Sequence, residues 1–104
     1  MSKPQTKTQK RIDNTIGFAL TDACEQFLET IPGFAWLTHQ ANYSDFPASL
    51  LITCVFDTGD SQQQAGANGD TRDMQKLIQA KLLKIGVKIK APKQQIIFDT
   101  EKTQ

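Results

Sequence analysis

Nowhere in the 104 residues does an apolar run approach the roughly 20 residues that cross a bilayer, and the opening MSKPQTKTQKR has no apolar core of a secretion signal. A cytoplasmic protein with no membrane partner is therefore expected. Cysteine is scarce. Cys24 and Cys54 have no second Cys or His at ligand spacing, which argues against both a zinc site and a disulfide framework. Both thiols are expected to be reduced and to pack as small hydrophobes. Trp, Tyr and His each occur once, at Trp36, Tyr43 and His39. A Gly-rich phosphate loop is also missing, because GANGD at 66–70 lacks the Lys and the strand-to-helix context. No cofactor and no metal are expected. A chain of 104 residues is long enough for one domain with a single modest core and too short for an added cofactor domain.

Charge is balanced in total, at +1, but unevenly placed. Residues 1–11 carry four positive side chains, residues 12–73 carry nine acids against Arg72 alone, and residues 74–98 carry six lysines and no acid. Such a distribution admits a polyanion-binding face. It equally describes solvated lysines that complement a helix C-terminus, as at Lys76, Lys81 and Lys84, or that guard a strand edge, as at Lys88 and Lys90. The second explanation is the simpler one.

Residues 1–11 alternate Lys with Gln and Thr and offer almost nothing to bury, so they read as a disordered basic arm. The single domain then runs over 12–100, and 101–104 form a tail. With Asp13 or Asn14 as N-cap, Ile16, Leu20, Ala23, Phe27 and Ile31 recur at helical spacing up to Pro32-Gly33. FAWLTHQA (34–41) reads as a strand. SLLITCVFD is the clearest strand in the chain and is apolar on both faces, as a central strand would be. Residues 58–69 read as a loop in which DSQQQA forms at most a turn of helix. Asp70 is placed to cap a second helix through Met74, Leu77, Ile78, Leu82 and Ile85, stopped by Gly86. VKIKA alternates as a strand, Pro92 turns the chain, and QIIFD forms the last strand.

The expected fold is therefore α+β in the order αββαββ, with both helices on one face of a four-stranded antiparallel sheet. It corresponds to a circularly permuted ferredoxin-like arrangement, with strands 50–57 and 95–99 central and 34–41 and 87–91 at the edges. If Phe34 and Trp36 turn inward, the uncovered face exposes Leu51, Val55 and Ile97 with Leu37 beside them. An apolar patch of that kind is seldom left open without a partner.

Three stretches carry candidate chemistry. VFDTGDS (55–61) resembles the Asp-Thr-Gly signature of aspartic proteases, which implies a dimeric hydrolase with Asp57 as the shared catalytic carboxylate. Those enzymes are almost wholly β, whereas two strong helices occupy this chain, and Asp60 stands where the signature has Ser or Ala. Asp-Thr-Gly is also what a strand needs to stop and turn, and IFDT at 97–100 repeats the pattern. WLTHQANYSDFPAS (36–49) gathers His39, Tyr43, Ser44, Asp45 and Ser49, which supply a base, an acid and nucleophiles if they converge. NYSD is equally good turn chemistry, and a structured hairpin loop is the plainer expectation. The third candidate is RNA or DNA binding through Lys81, Lys84, Lys88, Lys90 and the N-terminal arm. Neither an aromatic-basic RNA signature nor a helix-turn-helix accompanies these lysines.

FAWLTHQANYSDFPASLLITCVFDT also resembles a group of short bacterial proteins of no established activity. That resemblance implies a small bacterial cytoplasmic protein. The sequence as a whole points to a non-enzymatic protein-interaction module, homodimeric through Leu37, Leu51, Val55 and Ile97, with nucleic-acid binding as the alternative.

Overall fold

The apolar stripe between Ile16 and Phe27 does form a helix, and that helix is longer than its caps suggest. In the computed structural model, which describes residues 7–101, α1 spans Lys7–Thr30. Asp13 and Asn14 are therefore interior positions rather than N-caps, and residues 7–11 of the expected basic arm are helical. The rest of the arm, 1–6, and the tail residues 102–104 lie outside the described residues. The helix ends as expected at Pro32-Gly33. Gly33 has φ +79°, and a Cβ there would collide with the Ser61 side chain.

Three strands follow in the order β1 (Phe34–Gln40), β2 (Leu51–Phe56) and β3 (Ile96–Thr100). A short 3₁₀ turn, Tyr43–Asp45, lies between the first two strands, and Asn42 caps it by accepting from Ser44 N–H at 3.0 Å. Two helices, α2 (Gly59–Asn68) and α3 (Asp70–Lys84), and the single turn α4 (Pro92–Gln95) connect β2 to β3. The sheet order is β1-β2-β3, antiparallel between β1 and β2 and parallel between β2 and β3. Ile16, Leu20, Ala23 and Phe27 of α1 and Met74, Ile78 and Leu82 of α3 pack with Ile52, Cys54, Phe56 and Ile96 as one core. Phe27, Phe34 and Phe56 meet edge to face, with centroids 5.4 and 6.3 Å apart.

This corrects the expected four-stranded antiparallel sheet, and with it the permuted ferredoxin-like order. VKIKA does alternate, with Val87 and Ile89 buried and Lys88 and Lys90 exposed, yet it pairs with no strand. Its alternation comes from lying across the rim of the core as an extended connection. Because 87–91 is spent on that return path, the last strand enters alongside β2 in the same direction. Parallel neighbours need a crossover of about a dozen residues or more, and 57–95 supplies it. β3 is consequently an edge strand rather than a central one.

The segment 58–69, read as a loop, holds α2. Thr58 caps it by accepting from Ser61 N–H at 3.1 Å. Gly69, at φ +90°, both ends α2 and starts α3, so Asp70 is the first helical residue and not the cap; its own N–H donates to Asn68 Oδ1 at 3.0 Å. Gln95 is buried and fully bonded, donating to Pro47 O at 2.9 Å and Leu50 O at 3.0 Å and accepting from Ala91 N–H at 3.1 Å. That side chain ties α4 to the entrance of β2.

Candidate functional site

Among the described residues the sheet has one face under the helices and one face uncovered, and a single irregularity decides which residues occupy each. The register between β1 and β2 shifts between Phe34 and Trp36, so that Phe34 faces Phe56 while Trp36 already faces Val55. A bulge of this kind reverses the side-chain alternation. Phe34 and Leu37 turn toward the core, where Leu37 packs against the main cluster, and Trp36 turns out. Leu37 is thereby removed from the expected face patch and Trp36 takes its place.

Pairing places Trp36 across from Val55 and Val55 across from Asp99; the next outward row is Thr38, Thr53 and Ile97, and Gln40 faces Leu51 at the far end. Of the four interface residues expected, Leu51, Val55 and Ile97 do share this face. Their accessibility differs sharply. Ile97 is 37% exposed and Trp36 is 45% exposed, but Val55 is only 3% exposed and Leu51 is partly buried. Trp36 and Ile97 are thus the exposed large apolar residues of this face, while Phe18, Leu28 and Leu83 are exposed on the helices, and among the strand positions of this face Asp99 is the one charge.

The four lysines separate. Lys81 forms an ion pair with Asp22 of α1 and so joins the two long helices. Lys84 is exposed on the last turn of α3. Lys88 and Lys90 line a groove of about 450 Å³ whose other wall includes Phe46 and Leu51. Only these last two lysines share a surface feature.

His39 and Tyr43 do converge, though on a residue assigned to a cap. Tyr43 OH donates to Asp13 Oδ1 at 2.6 Å, and His39 Nε2 lies 3.1 Å from the same oxygen. The Tyr43 hydrogen bond, opposed by burial and assisted by His39, holds the Asp13 carboxyl below its ordinary pKa, while burial and the nearby carboxylate push the Tyr43 phenol up. The Tyr proton and one ring nitrogen of His39 are thereby committed to a clasp that ties α1 to β1 and to the hairpin loop. Ser49 and Ser44 are used within that loop: Ser49 Oγ donates to Asn42 O at 2.6 Å and accepts from Asn42 N–H at 2.9 Å. Asp45 is exposed and closes the 3₁₀ turn. Asp57 is exposed just beyond β2, beside the capping Thr58. One positional signal marked Asp13 in advance: it sits on the inward stripe with Ile16 and Leu20, where a carboxylate needs a partner.

The two edges of the sheet are finished differently. On β3, Gln75 Nε2 donates to Ile96 O at 3.3 Å and Gln62 Nε2 donates to Phe98 O at 3.4 Å, while α2 lies alongside. On β1, no side chain among the described residues is hydrogen-bonded to the backbone edge that faces away from β2. Beside that edge, α1 and β1 enclose a pocket of about 220 Å³ whose lining includes Gly17, Thr21, Cys24 and Glu25 of the helix and Leu37 and His39 of the strand.

No family profile matches the chain, and no curated protein or solved structure is significantly similar to it. The site therefore rests on its own geometry. Among the described residues no helix is long and apolar enough to cross a membrane.

Proposed function

We propose that the chain is a non-enzymatic interaction module that associates with a second copy of itself through its uncovered sheet. The observation that carries this reading is Trp36, 45% exposed on a sheet face whose strand positions hold a single charge. Tryptophan is the residue type most enriched at interface hot spots. A face this neutral matches another neutral face and offers a charged partner nothing to pair with. Three strands about 4.8 Å apart and five residues of about 3.3 Å each make a face of roughly 250 Å² in projection. A standard interface uses about 800 Å² per partner, so the face alone supports a weak contact and the sheet edge must contribute. Sedimentation velocity from low to high micromolar concentration tests the reading: self-association is expected, weakened in Trp36→Ser. A wild-type chain that stays monomeric throughout that range overturns it.

A second reading is favoured by one specific feature, the Gly66-Ala67-Asn68-Gly69 stretch in which the last turn of α2 runs through Gly69 into α3. A Cβ at Gly66 would meet nothing within 4 Å, so packing does not require glycine there, whereas close approach of a ligand backbone would. KH-type modules hold the backbone of about four nucleotides at a Gly-x-x-Gly loop. Charge opposes the idea, because Asp70 and Asp73 flank the turn with Arg72. The length of α3, at 1.5 Å per residue, also puts Lys84 about 20 Å from it. Titration with single-stranded RNA at low salt decides: binding lost in Gly66→Asp supports this reading, and no binding removes it.

A further inference from the structure

We infer that two copies of this chain pair antiparallel along β1, joining their sheets into one of six strands around a two-fold axis at Thr38. This rests on the self-association proposed above and specifies where it occurs.

The contrast between the two sheet edges motivates it. An unpaired strand edge is a template for another strand, and proteins blunt such edges with lysine, proline, bulges or covering elements. β3 is covered: two of its outer carbonyls are occupied by Gln62 and Gln75. β1 is not. From Trp36 to Gln40 it carries no Lys, Arg, Asp, Glu or Pro, its bulge lies at the far N-terminal end, and its outer edge has no hydrogen-bonding side chain among the described residues.

Backbone parity locates the axis. Asp57 N–H donates to Gly33 O at 2.8 Å, which makes Phe34 and Phe56 a non-hydrogen-bonded pair. Alternation past the bulge then directs the N–H and C=O of Thr38 and Gln40 toward β2 and those of Leu37 and His39 away from it. With the axis at Thr38, Leu37 of one copy lies opposite His39 of the other, and both outward pairs are used twice. Thr38 meets Thr38 on the uncovered face, and Trp36 lies across from Gln40. On the helix side, Leu37 of each copy is brought to the pocket between α1 and β1, whose helix wall is made of Gly17, Leu20, Thr21, Cys24 and Glu25. Gly17, Thr21 and Cys24 are short and leave room for it between Leu20 and Glu25.

Self-pairing is favoured over an unrelated peptide because the same two residues complement themselves and neither strand brings a charge. It also closes. Among the described residues each chain has one open edge, so pairing consumes both open edges and stops at two copies.

Thr38 is exposed, so it can carry the test. In the β1 dimer, Thr38→Lys puts two lysines directly across the axis, and like charges so placed repel; Thr38→Glu does the same with carboxylates. Sedimentation velocity of the full chain is expected to show each variant at least tenfold weaker in self-association. An equimolar mixture should recover as a Lys–Glu heterodimer, and Ile97→Asp, on the face but two strands from the edge, should weaken association less than either Thr38 variant. Thr38 variants that associate normally, or a mixture that fails to recover, overturn the β1 pairing. Loss in Ile97→Asp with indifference at Thr38 would do so too while leaving self-association through the face intact. A wild-type monomer at every concentration overturns both.

Discussion

The Asp13 clasp permits a quantitative prediction, because three side chains from three segments meet at one oxygen. A hydrogen bond to a charged group contributes about 1.5–3 kcal/mol. The Asp13 side chain is 39% exposed, so solvent screening brings the Tyr43 bond down to or below the lower end of that range, about 1–1.5 kcal/mol. His39 adds about 0.5 kcal/mol, as a partly exposed contact should. Asp13→Ala is therefore expected to cost about 1.5–2 kcal/mol, and Tyr43→Phe about 1 kcal/mol. In a domain of this size each kcal/mol moves Tm by about 4–8 °C, so Asp13→Ala should melt roughly 6–16 °C below wild type. Thermal and urea denaturation followed by circular dichroism supplies these values. The double variant supplies the decisive one, a coupling of about 1 kcal/mol between the two positions. Additive single effects would refute the clasp.

The pH dependence follows from the same contacts, with a separate sign for each group. Asp13 has a lowered pKa in the folded chain. Its contribution is present above the unfolded carboxylate value, about 4, and is lost as pH falls through the lower folded value. Tyr43 is shifted upward, so its contribution is present below the unfolded phenol value, about 10, and is lost as pH rises through the folded one. The stability difference between wild type and Asp13→Ala should be present between these limits and shrink outside them. Because His39 also belongs to the strand proposed to pair, Asp13→Ala should loosen self-association as well.

Three further outcomes are expected. Gln95→Leu removes the partner of two carbonyls and one N–H in a buried place, and should cost about 2–4 kcal/mol in urea denaturation; a loss under about 0.5 kcal/mol would mean that water replaces the amide. Gly69→Ala, forced to φ +90°, should lose about 1–2 kcal/mol, whereas Gly66→Ala, with open space around it, should gain about 0.5–1 kcal/mol. Equal effects at the two glycines would contradict the turn geometry. Gln62→Met with Gln75→Met uncovers the outer carbonyls of β3, and light scattering should then detect species larger than a dimer, whereas an unchanged dimer would show that α2 alone protects that edge.

What could be read from the residues follows the strength of local patterning. The stripes Ile16-Leu20-Ala23-Phe27 and Met74-Ile78-Leu82 and the two-faced apolar run of β2 are repeated signals, and the structure places all three where their periodicity puts them. VKIKA carries an equally clean period of two and forms no strand, because alternation reports only that one side is buried. Pairing is a second condition, and only the path of the whole chain decides it. Parallel entry of β3 is invisible locally for the same reason.

The candidate site failed at a smaller scale. Reading β1 as unbroken alternation sends Phe34 and Trp36 inward together and Leu37 outward; one extra residue at Ala35 separates them, giving Phe34 to the core and Trp36 to the uncovered face. Nothing in FAWLT marks that bulge, since Ala is tolerated in strand, bulge and turn alike. The reversal also carries past Trp36, so that Leu37 and His39 have inward side chains and outward backbone groups. If β1 is a pairing edge, its bulge therefore does two things at once: it exposes the tryptophan on one face, and it sets which residues of the bare edge are free to bond. Deleting Ala35 would remove the bulge and keep the register, with Phe34 opposite Phe56, Trp36 opposite Val55 and Leu37 opposite Cys54. Trp36 should therefore stay on the open face and the two-fold axis at Thr38, whereas a shift of the axis would show that the extra residue is not what sets the alternation.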